Sequence, residues 1–276
     1  MIPRPAIVDW ERRAPWPENQ QIEQDLLISR AMVEIFTEEV LRKTLLFRGG
    51  TAIYKLHVNE PVRYSEDLDF VMIEKGPIGP VYDAIREKLD SLMGEPSRDQ
   101  KESMAVMKYT FESEFPPKSE QQLKIEINYE ENFSVLTTEE KKFEIENPWF
   151  TGSASIPTFQ INELLAAKLR ALFQRRKGRD LFDLWFGLTR GLVEPDQLLA
   201  CFEKYTEPLN MPITRARFEK NLTGKLADRL FVDDIKPLIP RDFGYDVREA
   251  MNLVHEKLIK DIPGEPYQGS PNIFDK

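Results

Sequence analysis

Two adjacent glycines followed by an acidic, strand-like segment constrain the fold of this chain more than any other feature of its sequence. Residues 47–52 read FRGGTA, and residues 63–71 read RYSEDLDFV. Because side chains alternate between the two faces of a strand, Asp67 and Asp69 share one face, and the apolar residues beside them point into a core on the other. The pattern predicts one compact unit made of a strand, a glycine turn, a short helix and an acidic strand.

This unit has the chemistry of a site for a metal ion and a phosphate. Two carboxylates on one strand face can bind a hard cation such as Mg²⁺. Glycines allow the backbone to approach a phosphate, and the helix that follows, for which Thr51 is a candidate cap, offers N–H donors. The combination predicts nucleotidyl transfer. A plain turn beside solvent-facing aspartates is less favoured, because acidic residues are depleted in strands and like charges on one face repel.

The composition favours oxygen-ligand metal chemistry in a globular protein. The 276 residues suffice for one large domain or two modest ones, and 41% are hydrophobic and 31% charged. With only two histidines, His57 and His255, the chain has few residues for a histidine-rich metal site or a histidine-centred catalytic triad. The net charge of −9 argues against a uniformly basic nucleic-acid surface but is compatible with local basic patches.

We expect a cytoplasmic protein with no membrane segment. The single cysteine, Cys201, excludes an intrachain disulfide, fits a reducing compartment and lies among apolar residues, where a packing role is expected. Residues 1–16 lack the apolar stretch of a secretory signal, and no apolar run reaches the length of a membrane span.

Periodicity predicts an α/β (α+β) protein in which a mixed sheet core precedes a helical region. Residues 1–20 are expected to be irregular. Helices are predicted over 21–43, 51–57, 81–93, 160–174, 180–189, 195–204, 215–230 and 245–260. Strands are predicted over 44–48, 64–73, 104–112 and 122–129. We therefore expect a core over 1–155, a helical region over 156–262 and a weakly ordered tail over 263–276; whether the first two form separate domains stays open.

One further acidic residue is a candidate for the metal site. In the predicted strand 122–129, Glu126 shares a face with Lys124, opposite the apolar residues. It is a candidate third carboxylate, although a solvated strand residue is nearly as well supported by the pattern.

A basic run is the second local anomaly. Residues 168–179 contain six lysines and arginines and no acid, in a chain that is acidic overall. Gly178 is expected to separate two helices, and Asp180 to cap the second. Taken alone, such a run is usually a solvated helix face, on which a lysine surrounded by leucines, as Lys168 is, extends towards water. Beside the glycine and aspartate unit, phosphate binding is the better interpretation, because a triphosphate needs positive charge opposite the metal carboxylates.

The chain resembles the AbiEii family, the MenT-like nucleotidyltransferase toxins of type IV toxin–antitoxin systems, which are similar to the DNA polymerase β-type nucleotidyltransferase superfamily. Four stretches carry the resemblance: GGTA at 49–52, SEDLDF at 65–70, KIEI at 124–127, and ELLAAKLRA at 163–171 continuing to RDLFDL at 179–184. Together they span about half of the chain. The resemblance implies a nucleotidyltransferase core with a helical region that completes the active site.

The resemblance also implies roles for the matching residues. The catalytic residues would be Asp67, Asp69, Lys168 and Asp183. Asp67 and Asp69 would bind Mg²⁺, for which Mn²⁺ could substitute, and Glu126 lies where the superfamily often has a third ligand. The nucleotide-binding residues would be Gly49, Gly50, Thr51, Ser65 and Lys168. The basic residues available to contact an RNA backbone are Arg175, Arg176, Lys177 and Arg179.

The implied activity is transfer of a nucleoside monophosphate from an NTP to an acceptor hydroxyl, with a tRNA 3′ end as the implied acceptor. Growth arrest would follow, and a cognate antitoxin is the implied partner. Two alternatives stay open. The acceptor could be a protein or a small molecule, which the acidic net charge favours somewhat, or the protein could bind nucleotides without catalysis, against which the intact catalytic residues argue. We expect Lys168 and Asp183 to reach the Asp67–Asp69 pair.

Overall fold

The computed structural model describes residues 2–58, 60–101, 103–207 and 212–269. It divides the chain into two compact units. The first, the sheet unit, comprises the described residues up to Phe159 together with Leu238–Pro240. The second, the helical unit, comprises the described residues of Gln160–Pro237 and those from Arg241 onward.

The sheet unit is built on a mixed sheet of seven described strands. These are β1 Leu45–Arg48, β2 Asp67–Met72, β3 Ser97–Gln100, β4 Met104–Glu112, β5 Glu120–Asn128, β6 Glu139–Asn147 and β7 Phe150–Thr158. Their order across the sheet is β3-β4-β5-β2-β1-β7-β6. The β2–β5 and β1–β7 pairs are parallel and the other pairs antiparallel. The acidic strand β2 is therefore central and hydrogen-bonds on both sides.

Helices cover this sheet and provide its core. They are α1 Arg4–Trp10, α2 Asn19–Thr37, α3 Glu39–Thr44, α4 Gly49–Ala52, the π-helical turn Ile53–His57 and α5 Gly79–Met93. Helix α2 buries Phe36 against Phe47 of β1 and Phe70 of β2, with ring centroids 6.2 and 5.7 Å away. This aromatic cluster anchors β1 and β2 beneath the segment that carries the glycines.

The helical unit packs its own core. Its helices are α6 Ile161–Gln174, α7 Gly178–Thr189, α8 Pro195–Thr206, α9 Arg215–Leu226, α10 Arg229–Asp233 and α11 Val247–Lys257. Phe182 of α7 is fully buried and contacts the rings of Trp185 and Tyr245. At the start of α7, a side chain on Gly178 would lie 2.2 Å from the carbonyl oxygen of Phe231, so only glycine allows α10 to pack this closely.

The predicted mixed α/β class is confirmed, but several predicted elements were wrong. The segment expected to be irregular contains α1, and the helix predicted over 21–43 is two helices that divide at Glu38. The hairpin of β6 and β7 was not predicted. The predicted tail falls partly on residues 270–276, which lie outside the described residues. Among the described helices, none is long and apolar enough to cross a membrane.

Candidate active site

Asp67 and Asp69 share one face of β2, as predicted from the alternation. Both are partly exposed, whereas Leu68 and Phe70 are buried in the core. The two carboxylates thus stand side by side on a central strand. Burial, and then the charge of Asp69, raise the pKa of Asp67 to about 6, and Lys124 opposes this rise.

Strand β5 adds a lysine and a third carboxylate to the same face. In the parallel register, Asp67 pairs with Lys124 and Asp69 pairs with Glu126. The Lys124 Nζ lies 3.1 Å from an Asp67 oxygen and 3.1 Å from a Glu126 oxygen. Lys124 is a site residue that the sequence analysis did not select, because its strand pairing cannot be read from a local pattern.

The glycine turn is shaped by the carboxylate of Asp69. Strand β1 ends at Arg48, which pairs with Asp69 across the antiparallel β1–β2 register. Gly49 then adopts φ +81°, and an added Cβ would lie 2.0 Å from Asp69 Oδ2. Both the positive φ and the close contact require glycine, so the turn and the Asp69 carboxylate form one packed unit.

The next two residues join the start of α4 to the acidic strand. An added Cβ at Gly50 would lie 2.4 Å from an Arg63 guanidinium nitrogen and 2.9 Å from Ser65 Oγ. Thr51 is buried, and its hydroxyl donates a 2.6 Å hydrogen bond to the backbone carbonyl of Asp67. Thr51 lies inside α4, whose N-cap is Arg48, so the cap prediction for Thr51 was wrong.

The donor set suits a hard divalent cation. Mg²⁺ is commonly held by one or two carboxylates together with substrate phosphates and water, and Asp67 and Asp69 present such oxygens on one face. The Lys124 ammonium already lies against Asp67 as a cation would. Within the described part of the chain, no group of three or more histidine, cysteine, aspartate or glutamate side chains is placed to hold a metal ion. The assignment of Glu126 as a third ligand stays a prediction, and its carboxylate pairs with Lys124.

The helical unit brings Lys168 and Asp183 together. Lys168 on α6 is 8% exposed, and its Nζ lies 2.9 Å from Asp183 Oδ2 and 3.5 Å from Asp180 Oδ1. Both aspartates lie on α7 and are buried. Lys168 therefore does not extend towards water, but forms an ion pair with two carboxylates of its own unit. The sequence around Lys168 gave no sign of this ion pair, because both aspartates lie on the next helix.

Asp180 has a different role from the one predicted. Helix α7 begins at Gly178 with Lys177 as its N-cap, and no side chain caps it. The Asp180 carboxylate instead accepts two hydrogen bonds, of 2.7 and 2.8 Å, from the guanidinium of Arg175. The cap prediction was wrong because the helix begins at Gly178, before the expected position, which places Asp180 inside its first turn, where its oxygens pair with Arg175 instead.

Other members of the basic run also face carboxylates. Arg176 lies 3.1 Å from Asp228, and Lys177 lies 3.4 Å from Asp234, while the backbone N–H of Arg179 donates to the Asp234 carboxylate. These acidic residues lie far along the chain, so the run looked uncompensated in sequence. Its predicted contact with RNA stays a prediction.

Two buried groups of the helical unit were not selected from the sequence. Lys225 on α9 is 2% exposed and donates from Nζ to the backbone carbonyls of Leu172 and Phe173, at the end of α6. Burial lowers the pKa of Lys225 to about 8. The Lys225 ammonium at the last carbonyls of α6 also compensates the helix dipole. The second group is the phenol of Tyr245, whose pKa is raised by burial and then by the charges of Asp183 and Asp246.

Comparison with known proteins identifies the family and the fold. The family model for the nucleotidyl transferase AbiEii toxin of type IV toxin–antitoxin systems matches residues 30–252. MenT4, a nucleotidyltransferase toxin from Mycobacterium tuberculosis, is similar in structure with a TM-score of 0.61 and 16% identity, over 93% of this chain and 90% of that one. JHP933 from Helicobacter pylori is similar with a TM-score of 0.55 and 21% identity, over 88% of this chain and 95% of that one.

The two solved structures share the fold with this chain, and no curated protein matches its sequence. The family match covers most of the chain and includes both the glycine–aspartate unit of the sheet and the Lys168–Asp183 pair. The chain therefore belongs to the AbiEii family of nucleotidyltransferase toxins of type IV toxin–antitoxin systems.

Proposed function

We propose that this protein is a Mg²⁺-dependent enzyme that transfers a nucleoside monophosphate from an NTP to the 3′-terminal hydroxyl of a tRNA. The observation that carries the proposal is the packing of Gly49 against Asp69, which joins the glycine turn to a carboxylate pair. A tRNA that carries an added nucleotide could not be aminoacylated, so growth would stop. The site of action would be the cytoplasm, and a cognate antitoxin would restrain the enzyme.

In this proposal the sheet unit binds the metal ion and the phosphates. Asp67 and Asp69 would hold Mg²⁺, which when bound would neutralise charge on the triphosphate and the leaving pyrophosphate. Gly49 and Gly50 would let the phosphates approach the backbone, and Ser65 lies beside Gly50 with a hydroxyl that could donate to them. Thr51 would act indirectly, because its hydroxyl holds the backbone of Asp67.

The helical unit would contribute Lys168 and Asp183. A lysine with little exposure acts on a phosphate at short range, where salt screens it weakly. Asp183 would orient that ammonium, since the two groups lie 2.9 Å apart. A triphosphate that binds the ammonium would compete with the two aspartates that hold it.

The chemical step would be a substitution at the α-phosphorus. The acceptor hydroxyl oxygen forms a bond to that phosphorus, and its proton goes to solvent. The bond to the oxygen that bridges the α- and β-phosphorus breaks, and pyrophosphate leaves with the bonding electrons. The chain's own residues would position the phosphates and compensate their charge, which are the main contributions of a protein to phosphoryl transfer.

The exposed basic residues of the α6–α7 connection would contact the RNA backbone. Arg176 and Lys177 pair with carboxylates near the surface, and such pairs contribute little to stability, so a phosphate can replace them. Arg179, in the first turn of α7, would contact the RNA backbone beside them. Arg175 is engaged with the fully buried Asp180, so it would support the helix connection more than bind RNA.

The test is to incubate the purified protein with Mg²⁺ and each labelled NTP in turn, first with total tRNA and then with total protein. We expect label on tRNA, and sequencing of the modified 3′ ends identifies the added nucleotide. Label on protein with none on tRNA would support the alternative acceptor. If no NTP is consumed with Mg²⁺ or Mn²⁺, catalysis itself is refuted.

A further inference from the structure

A cavity in the sheet unit lies beside the glycine turn. Its volume is 340 Å³, which is within the range of small-ligand sites. Thr51 and Ser65 line it, so it adjoins both the start of α4 and the segment that leads into Asp67. The residues that set its charge are Arg12, Arg13, Asp25, Lys55, Glu60 and Arg63.

The cavity is positive in a chain that is negative. Four cationic and two acidic side chains line it, whereas the chain as a whole carries a net charge of −9. Asp25 and Lys55 form one ion pair that adds little net charge, so the excess of positive charge comes from the three arginines that line the cavity. The buried Asp25 carboxylate lies 2.6 Å from the Lys55 ammonium and accepts hydrogen bonds of 2.8 and 3.1 Å from the indole N–H groups of Trp10 and Trp16.

The deepest cation of the cavity is held in place by its neighbours. Arg63 is 3% exposed, its guanidinium lies 4.9 Å from the centre of the Tyr54 ring, and it donates a 2.8 Å hydrogen bond to the carbonyl of Tyr64. The same guanidinium packs against Gly50. A fixed cation between an aromatic wall and a glycine suits an anion that approaches the turn.

At the opposite extreme, Arg12 and Arg13 are exposed on the segment that follows α1. Arg13 lies over the Trp10 ring at 5.3 Å, and Arg12 pairs with Asp9. Positive side chains therefore extend from Arg12 and Arg13 at the surface to Arg63 beside the glycine turn.

We propose that this cavity binds a phosphate of a nucleotide, supplied either by the NTP or by the end of the acceptor strand. The inference rests on the proposed function for the nature of the ligand. It assigns to Arg12 and Arg13 a role that the family motifs do not include, since both precede residue 30, where the family match begins.

The test compares Arg12→Gln/Arg13→Gln with Arg4→Gln. Arg4 is an exposed arginine of α1 that pairs with Glu114 and does not line the cavity, so it controls for a general loss of positive charge. All three substituted side chains are on the surface, and equal thermal midpoints would show that the fold is retained. A 5′-labelled tRNA and each NTP are used as separate probes, so that no transfer can occur.

If the acceptor strand occupies the cavity, the double variant binds tRNA more weakly while its NTP affinities are unchanged. Raising the salt concentration from about 50 to about 200 mM lowers the tRNA affinity of the wild type. Because the double variant makes two fewer phosphate contacts, its affinity should fall by a factor that is roughly five- to tenfold smaller. If the NTP occupies the cavity, NTP affinity falls instead. Unchanged affinities for both probes, or an equal loss in Arg4→Gln, would overturn the inference.

These binding results are separate from the fate of the proposed function. A protein that binds tRNA through the two arginines but labels only other proteins would retain the cavity assignment and lose the proposed acceptor. A protein that labels tRNA with full efficiency in the double variant would keep the acceptor and lose the cavity.

Discussion

Replacing Gly49 by alanine tests whether the glycine turn and the carboxylate pair are one device. The structure predicts two separate costs. The backbone at φ +81° disfavours any side chain, at about 1–2 kcal/mol for a left-handed residue. The new Cβ also lies 2.0 Å from Asp69 Oδ2, so that carboxylate or the turn must shift, and overpacking of this kind costs about 1–3 kcal/mol more.

Gly94→Ala separates these two costs. Gly94 also has a positive φ, +79°, but nothing lies within 4 Å of an added Cβ. We expect a loss of about 1–3 kcal/mol in the free energy of unfolding for Gly94→Ala, which has backbone strain alone, and a larger loss of about 2–5 kcal/mol for Gly49→Ala. Urea unfolding followed by circular dichroism measures both.

The two variants should differ more in their transfer activity than in their stability. In Gly49→Ala the Asp69 carboxylate is displaced by about 1 Å, and a misplacement of this size can slow a reaction by roughly 100-fold. Gly94→Ala should transfer nucleotide at the wild-type rate. In an Asp69→Ala background the two closest clashing atoms are absent, so Gly49→Ala should cost less stability there than in the wild type. Equal stability losses at the two glycines, with transfer retained in Gly49→Ala, would refute the proposed packing.

Three further predictions concern single side chains. Asp69→Ala should lower transfer by at least roughly 100-fold while the protein stays folded, because a proposed metal ligand is lost; a folded variant with wild-type transfer would sink that assignment. Arg175→Ala should cost about 2 kcal/mol in unfolding experiments because it leaves the buried Asp180 short of a donor, whereas Arg176→Ala should cost under about 1 kcal/mol, and equal losses would contradict this difference. Burial and then the charge of Lys141 lower the pKa of His57 in the folded protein from 6.5 to about 4, although Glu139 opposes this shift. The neutral ring therefore contributes its full stability above pH 6.5, and this stability is lost as the pH falls towards 4. Between pH 7 and about pH 4.5, the free energy of unfolding of His57→Gln should therefore fall by about 2 kcal/mol less than that of the wild type, as measured by urea unfolding. Parallel pH profiles of the two proteins would exclude this role.

Local patterns predicted the elements that carry the carboxylates because those elements obey local rules. Strand β2 alternates between partly exposed aspartates and buried apolar residues, so its face could be assigned without a structure. The parallel pairing of β2 with β5 could not be, since it joins segments separated by a helix and two strands. Lys124 was consequently missed as the partner of Asp67.

The β6–β7 hairpin was missed for a different physical reason. Strand β6 reads EEKKFEIEN, and only Ile145 and Asn147 in it are buried. It lies at the edge of the sheet, where backbone pairing on one side suffices and charged side chains protect the free side. Its partner β7 contains Gly152 and Pro157, which ordinarily count against a strand. The hairpin was therefore missed because β6 has few apolar residues and β7 contains residues that count against a strand.

Charge is the property for which sequence and structure differ most, and this affects the choice of acceptor. The acidic total favoured a protein or small-molecule acceptor, and the basic run at residues 168–179 favoured RNA. In the folded chain several cations of that run face carboxylates of the same unit, whereas the cavity beside the glycine turn keeps more cations than acids. An approaching polyanion responds to this local distribution within about a Debye length of 10 Å, and not to the total. The net charge of −9 is therefore no argument against an RNA acceptor, and the transfer of label from an NTP to tRNA or to protein is the measurement that decides between the acceptors.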